Sequence, residues 1–214
     1  MFTLVKTPHL ISATFSSYLW HFSRKEPTLY LTFDDGPTPK ITPWVLDVLK
    51  EFEVKATFFC IGKNVVAQPE IFNNLLADGH RVGNHTFNHL KGLKTDTKTY
   101  LENIEKTQVA FLAQNPHHFE TRELLFRPPY GKCFPKQLKA LKKKGYKPVF
   151  WDVISRDFDL NINREDCLNN VLKHTENGSI VVFHDSEKAF KNLKYTLPKI
   201  LDHFKAKAYQ FNTI

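Results

Sequence analysis

The sequence predicts an α/β protein built on a parallel sheet, and three observations predict it. Apolar runs of strand length recur along the 214 residues. Their hydrophobicity is continuous rather than alternating, which suits strands buried on both faces. Helical patterns lie between them, so strand and helix alternate six or seven times. A doubly wound open sheet and a closed barrel both satisfy that alternation. The barrel is favoured because polar clusters follow directly after different strands: Asp34-Asp35, His85, Arg127 and His184-Asp185. In a barrel such positions converge on the C-terminal rim, where active sites are built.

The expected strands are LYLTF (29–33), ATFFCI (56–61), a weaker HRVGNH (80–85), LLF (124–126), PVFWDV (148–153), SIVVF (179–183) and AYQFNT (208–213). The first expected helix has Thr42 as N-cap and Pro43 in its first turn. Val45, Val48, Leu49 and Phe52 form its apolar face. Pro69 opens a second helix, which buries Ile71, Phe72, Leu75 and Leu76 and stops at Gly79. Tyr100, Leu101, Ile104, Phe111 and Leu112 mark a third. Leu138 and Leu141 mark a fourth, ended by Gly145. Cys167, Leu168, Val171 and Leu172 mark a fifth, and Leu193, Leu197, Ile200, Leu201 and Phe204 a sixth.

Composition bounds the class. With 42% hydrophobic and 24% charged residues, the chain suits one compact domain spanning 1–214. Cys60, Cys133 and Cys167 are odd in number and widely spaced, so reduced thiols are expected. Cys60 reads as a small buried hydrophobe. The net charge of +8 favours anionic partners in general. Much of the excess lies on the outer face of the 136–147 helix, which reads as a solvated face, and no nucleic-acid-binding signature accompanies it. No run reaches membrane-spanning length. Lys6, Pro8 and His9 interrupt the N-terminal stretch, so a signal peptide is not favoured and the default is a soluble cytoplasmic protein, with export left open.

Several short stretches carry candidate chemistry. In YLTFDDGPTPK, Gly36 and Pro37 stop two adjacent carboxylates, which by itself is an ordinary turn. In GNHTFNHL, His85 and His89 stand four apart; if the segment is helical, both imidazoles share one face and one cation. A catalytic zinc takes three protein ligands and keeps a fourth position open. An aspartate at the Asp34-Asp35 turn is the natural third ligand, with its neighbour free as a base. Adjacent strand residues point to opposite faces, so both reach one site only if the backbone leaves strand geometry there. In FRPPYGK, Pro128 and Pro129 have no N–H, so Tyr130 offers the first main-chain donor after Arg127, a candidate for an oxyanion. His184, after a buried strand, is a candidate general acid.

Taken in order, TFDDGP, HTFNH, RPPYG, WDVISRDFD and VVFHD resemble the five motifs of the polysaccharide deacetylases, the NodB-homology group or carbohydrate esterase family four. The resemblance runs over about residues 30–186, within a motif core of about 28–186. It implies a distorted (β/α) barrel. It implies that Asp35, His85 and His89 hold a divalent metal, zinc first, with cobalt, nickel or manganese as the other candidates. It makes Asp34 the general base, Arg127 its partner, His184 the general acid and Asp157 the residue that orients it. Tyr130 and Pro129 would serve the oxyanion and substrate, and Phe158 the sugar wall. The implied reaction removes N-acetyl groups from an N-acetylated saccharide, releasing acetate and a free amino sugar. A monomer with no nucleic-acid or membrane partner is expected. The fourth motif departs from the pattern: Phe158 stands where the family often has Trp, and Ile154 where it often has Asp. The alternatives are an amidohydrolase acting on a small non-sugar amide with the same site, and a carbohydrate-binding domain without activity. An open groove lined with aromatic residues favours a glycan; a small closed pocket favours a small amide.

Overall fold

A computed structural model describes residues 4–119 and 122–214. Its strands are β1 (Thr28–Asp34), β2 (Thr57–Cys60), β3 (Arg81–Asn84), β4 (Leu124–Phe126), β5 (Tyr146–Pro148), β6 (Val153–Ile154), β7 (Ile180–His184) and β8 (Gln210–Phe211). The helices are α1 (His9–Thr14), α2 (Ile41–Glu51), α3 (Gly62–Ala67), α4 (Pro69–Ala77), α5 (Thr97–Gln114), α6 (Pro116–Phe119), α7 (Pro135–Lys143), α8 (Arg164–His174) and α9 (Phe190–Ala206). The strand order is β5-β4-β3-β2-β1-β7-β6, with β8 pairing the start of β1. Every pairing is parallel. The sheet curls into a half-barrel whose free edges are β5 and β6, which is the barrel expected, left open along one seam.

Period-two alternation sorts the side chains of β1. Leu29, Leu31 and Phe33 face the helices, where Phe33 stacks on Phe58 and Phe183 at 4.9 and 5.9 Å between ring centroids. Tyr30 joins the inner cluster of Phe59, Leu125, Val149 and Ile180. Thr32 and Asp34 share its face by the same alternation. Burying each large apolar side chain contributes about 1.5–3 kcal/mol, so both layers are well supported.

The run PVFWDV is not one strand. It leaves β5 at Pro148, crosses the seam and re-enters the sheet as β6. Val149 N–H donates to the Phe126 carbonyl (2.8 Å), and Asp152 N–H donates to that of Ile180 (3.0 Å). Apolar content signalled burial correctly, but it does not tell pairing from crossing. The N-terminal stretch lines the same seam: Lys6 bridges Val153 and Leu19 bridges Val149. Residues 1–3 of that stretch lie outside the described residues.

Three further expectations are corrected. α2 begins at Ile41 with Lys40 as its N-cap, so Thr42 lies inside the first turn and its hydroxyl is free for a distant partner. Leu112 on α5 is 40% exposed rather than core. The segment 85–89 is a loop, not a helix. The three cysteines are free thiols, and Cys60 is buried in the core. Among the described residues, no helix is long and apolar enough to cross a membrane.

Candidate active site

Because the strands are parallel, the residues that end β1, β3, β4 and β7 gather on one rim. Asp34 ends β1 and is buried. By alternation Asp35 should turn away from it. Instead its φ of 85° takes the chain out of strand geometry. A non-glycine residue at positive φ is strained and needs its surroundings to hold it. Asn64 Nδ2 donates to the Asp35 carbonyl (2.8 Å), Asp35 N–H donates to that of Phe59 (3.3 Å), and Ile61 N–H donates to that of Gly36 (2.9 Å). Both carboxylates thereby reach the same rim.

The loop after β3 carries the histidines. Thr86 and His89 have φ values of 63° and 55°. Asn84 Oδ1 accepts from Thr86 N–H (2.9 Å), while Asn103 Oδ1 accepts from Phe87 and Asn88 N–H (2.7 and 3.0 Å). These bonds do the work a helix was expected to do. Asn84 and Asn103 were missed from the sequence; an Asn near the end of an expected strand, with its known tendency to bond nearby backbone, was the only local signal.

His85 Nε2 lies 3.7 Å and His89 Nε2 3.2 Å from Asp35 Oδ1. One donor atom from each of the three residues lies within 4.8 Å of the others. His85 Nδ1 sits 2.8 Å from the Arg127 carbonyl, which only accepts, so Nδ1 carries the proton and Nε2 a lone pair. Burial pulls the His85 imidazole down to about 4, which keeps it neutral at pH 7. Burial alone would raise the Asp35 carboxyl, but His89 and the charged His184 outweigh it and hold it below the usual carboxylate range. Asp35 Oδ1 is nevertheless buried without a hydrogen-bond donor. An imidazole lone pair facing a carboxylate oxygen repels it unless a cation lies between them. Tetrahedral Zn²⁺ with bonds of about 2.0–2.1 Å sets its donors roughly 3.4 Å apart, close to both measured separations. The residues therefore fit a divalent cation.

Arg127, fully buried, donates through Nη1 to Asp34 Oδ1 (2.7 Å) and Thr32 Oγ1 (2.8 Å). It also donates to the carbonyls of Val149 and Phe150 on the crossing segment (3.3 and 3.0 Å). Burial lowers its pKa and Asp34 opposes that shift. His184 stands on Asp157, which is fully buried: Nδ1 donates to Oδ1 (2.8 Å), and His184 N–H donates to Oδ2 (2.7 Å). Burial lowers the imidazole, but Asp157, then Asp35 and Asp34, raise it to about 9. The ring is a cation at neutral pH, with Nε2–H left for a substrate.

Tyr130, with φ of 60°, is 55% exposed and packs its ring 4.6 Å from that of His89. Pro129 is buried beside it. A Cβ on Gly131 would come within 2.3 Å of the Trp151 ring, so that close approach demands glycine. Phe158 is half-buried, 4.8 Å from His184. Ile154 is buried in β6 beside Val182. Tyr130 and Phe158 thus set aromatic rings against His89 and His184.

Residues 22–149 match the polysaccharide deacetylase family. The chain belongs to that family. Polysaccharide deacetylases are hydrolases, and a Bacillus cereus relative described as a peptidoglycan-N-acetylglucosamine deacetylase is 34% identical over 91% of this chain and 90% of its own. A chitooligosaccharide deacetylase of Azorhizobium caulinodans is 34% identical over 76% of each chain. Among solved structures, a peptidoglycan N-acetylglucosamine deacetylase, Bc1960, superposes with a TM-score of 0.86 at 31% identity, over 95% of this chain and 94% of that one. Asp157 and His184 lie beyond the span of the family match, and the geometry above is what sets them in the rim.

Proposed function

We propose that the protein is a metal-dependent deacetylase of N-acetylated amino-sugar saccharides. The observation that carries the reading is the buried Asp35 Oδ1, without a hydrogen-bond donor, facing His85 Nε2 and His89 Nε2. Those three residues would hold a divalent cation, zinc first, which when bound polarises the amide carbonyl and acidifies water.

The remaining work falls to the chain. Asp34, fixed by Arg127, takes a proton as a water oxygen forms its bond to the acetyl carbon. The Tyr130 N–H donates to the oxygen on which charge develops. As the C–N bond breaks, His184 Nε2 gives its proton to the departing nitrogen, because an amide anion is a very poor leaving group. Asp157 accepts from Nδ1–H and stabilises the imidazolium that carries the Nε2 proton. Acetate and a free amine leave. Relatives described as deacetylases of peptidoglycan N-acetylglucosamine and of chitooligosaccharides support a saccharide over a small non-sugar amide.

The test is acetate release from soluble N-acetylated saccharides, beginning with chitin oligosaccharides, before and after chelation. Loss of turnover on chelation and its return with Zn²⁺ is expected. Undiminished release from metal-free protein, or none from any saccharide, overturns the reading.

A further inference from the structure

Asp185 follows His184, is fully buried, and has no part in the chemistry above. Its carboxylate lies beside the Asp34-Asp35 turn. Oδ1 accepts from Gly36 N–H (3.0 Å), and Oδ2 accepts from the Thr42 hydroxyl (2.5 Å). Thr42 Oγ1 in turn accepts from Thr38 N–H (2.7 Å). Asp185 N–H donates to the Asp34 carbonyl (3.1 Å). One residue directly after β7 therefore grips the turn on both sides of Asp35 and ties it to the first turn of α2.

The fit is close. A Cβ on Gly36 would stand 1.9 Å from Asp185 Oδ2, so only glycine lets the carboxylate in. The placement is also costly. Burial, with Asp35 nearby, raises the Asp185 carboxyl to about 7, and a third carboxylate beside two others opposes folding. A neutral hydrogen-bonding side chain would brace the fold at lower cost. What the carboxylate uniquely offers is two acceptors on one rigid fork, aimed at the turn whose strained φ brings Asp35 to the rim.

We propose that Asp185, braced by Thr42, is a positioning residue that sets where the Asp35 carboxylate stands and so how tightly the Asp35-His85-His89 cluster binds a divalent cation. The inference rests on reading that cluster as a cation site. Residues that orient metal ligands typically change affinity by about 10–100-fold when removed.

The experiment measures Zn²⁺ affinity of the metal-free protein by calorimetry, alongside thermal unfolding of the metal-free protein. Asp185→Ala is expected to bind Zn²⁺ about 10–100-fold more weakly. Thr42→Val, which removes one hydrogen bond and keeps the shape, is expected to weaken binding several-fold, and Thr42→Ser to restore it. Thr42→Val decides the matter if Asp185→Ala does not fold. Folded variants with wild-type Zn²⁺ affinity, however low their melting temperature, reduce Asp185 to a structural brace and overturn the inference. A wild type that binds no Zn²⁺ overturns the cation reading beneath it, and this inference with it.

Discussion

Arg127 Nη1 lies 2.7 Å from Asp34 Oδ1, and the same guanidinium holds the carbonyls of Val149 and Phe150 where the chain crosses the seam. One buried cation thus both neutralises the proposed base on β1 and anchors the segment that crosses the seam of the half-barrel. Removing it strands a buried carboxylate and two carbonyls at once. Arg127→Met is expected to lose about 3–5 kcal/mol in chemical denaturation, the usual effect of breaking a buried pair from one side. A loss below about 1 kcal/mol, the range of exposed pairs, would show that water reaches Asp34.

Asp34→Asn keeps the shape and removes the proton acceptor. Its turnover number is expected to fall by about 10²–10⁴-fold, the usual share of a general base. Its Zn²⁺ affinity is expected to stay close to wild type, because Asp34 is not in the cluster. Turnover at the wild-type rate would remove Asp34 from the mechanism.

His184 is raised to about 9 by Asp157. A histidine raised on folding stabilises the fold fully below its unfolded value of about 6.5 and loses that stabilisation as pH rises through its folded value. In metal-free protein, proton NMR should therefore show His184 titrating well above 6.5. Asp157→Asn should move that titration toward acid and shift the basic limb of kcat/KM in the same direction. A limb unmoved by Asp157→Asn would assign the proton to another group.

His80 works in the opposite sense. Its Nδ1 accepts Ala56 N–H (3.1 Å), and burial, then Lys55, pull the imidazole down to about 4. The unfolded chain binds the proton first, so stability falls as pH drops from about 6.5 to about 4, by up to about 3 kcal/mol. Denaturation of metal-free protein at pH 7, 5.5 and 4 should show that slope, and His80→Gln should reduce it, leaving the share of the similarly lowered His85. An unchanged slope in the variant would assign acid sensitivity elsewhere.

The sequence by itself determined the α/β class, because strands buried on both faces must be apolar throughout and helices between them must carry one apolar stripe. It also determined which residue types meet at the rim, because in a parallel sheet every strand's C-terminal end lies on one side; Asp34, Asp35, His85, His89, Arg127 and His184 could be named from that rule and the order of the motifs. Only the tertiary structure decided that PVFWDV crosses a seam, since burial is common to a strand and a crossing and only the partner strands tell them apart. Only it decided that Asp35 turns at positive φ, that Asn84 and Asn103 shape the histidine loop, and that Thr42 serves Asp185 rather than the start of α2. The physical reason is range: periodicity and capping act over a few residues, whereas the bond from Thr42 to Asp185 joins groups 143 residues apart, and nothing local distinguishes either partner from an ordinary turn residue.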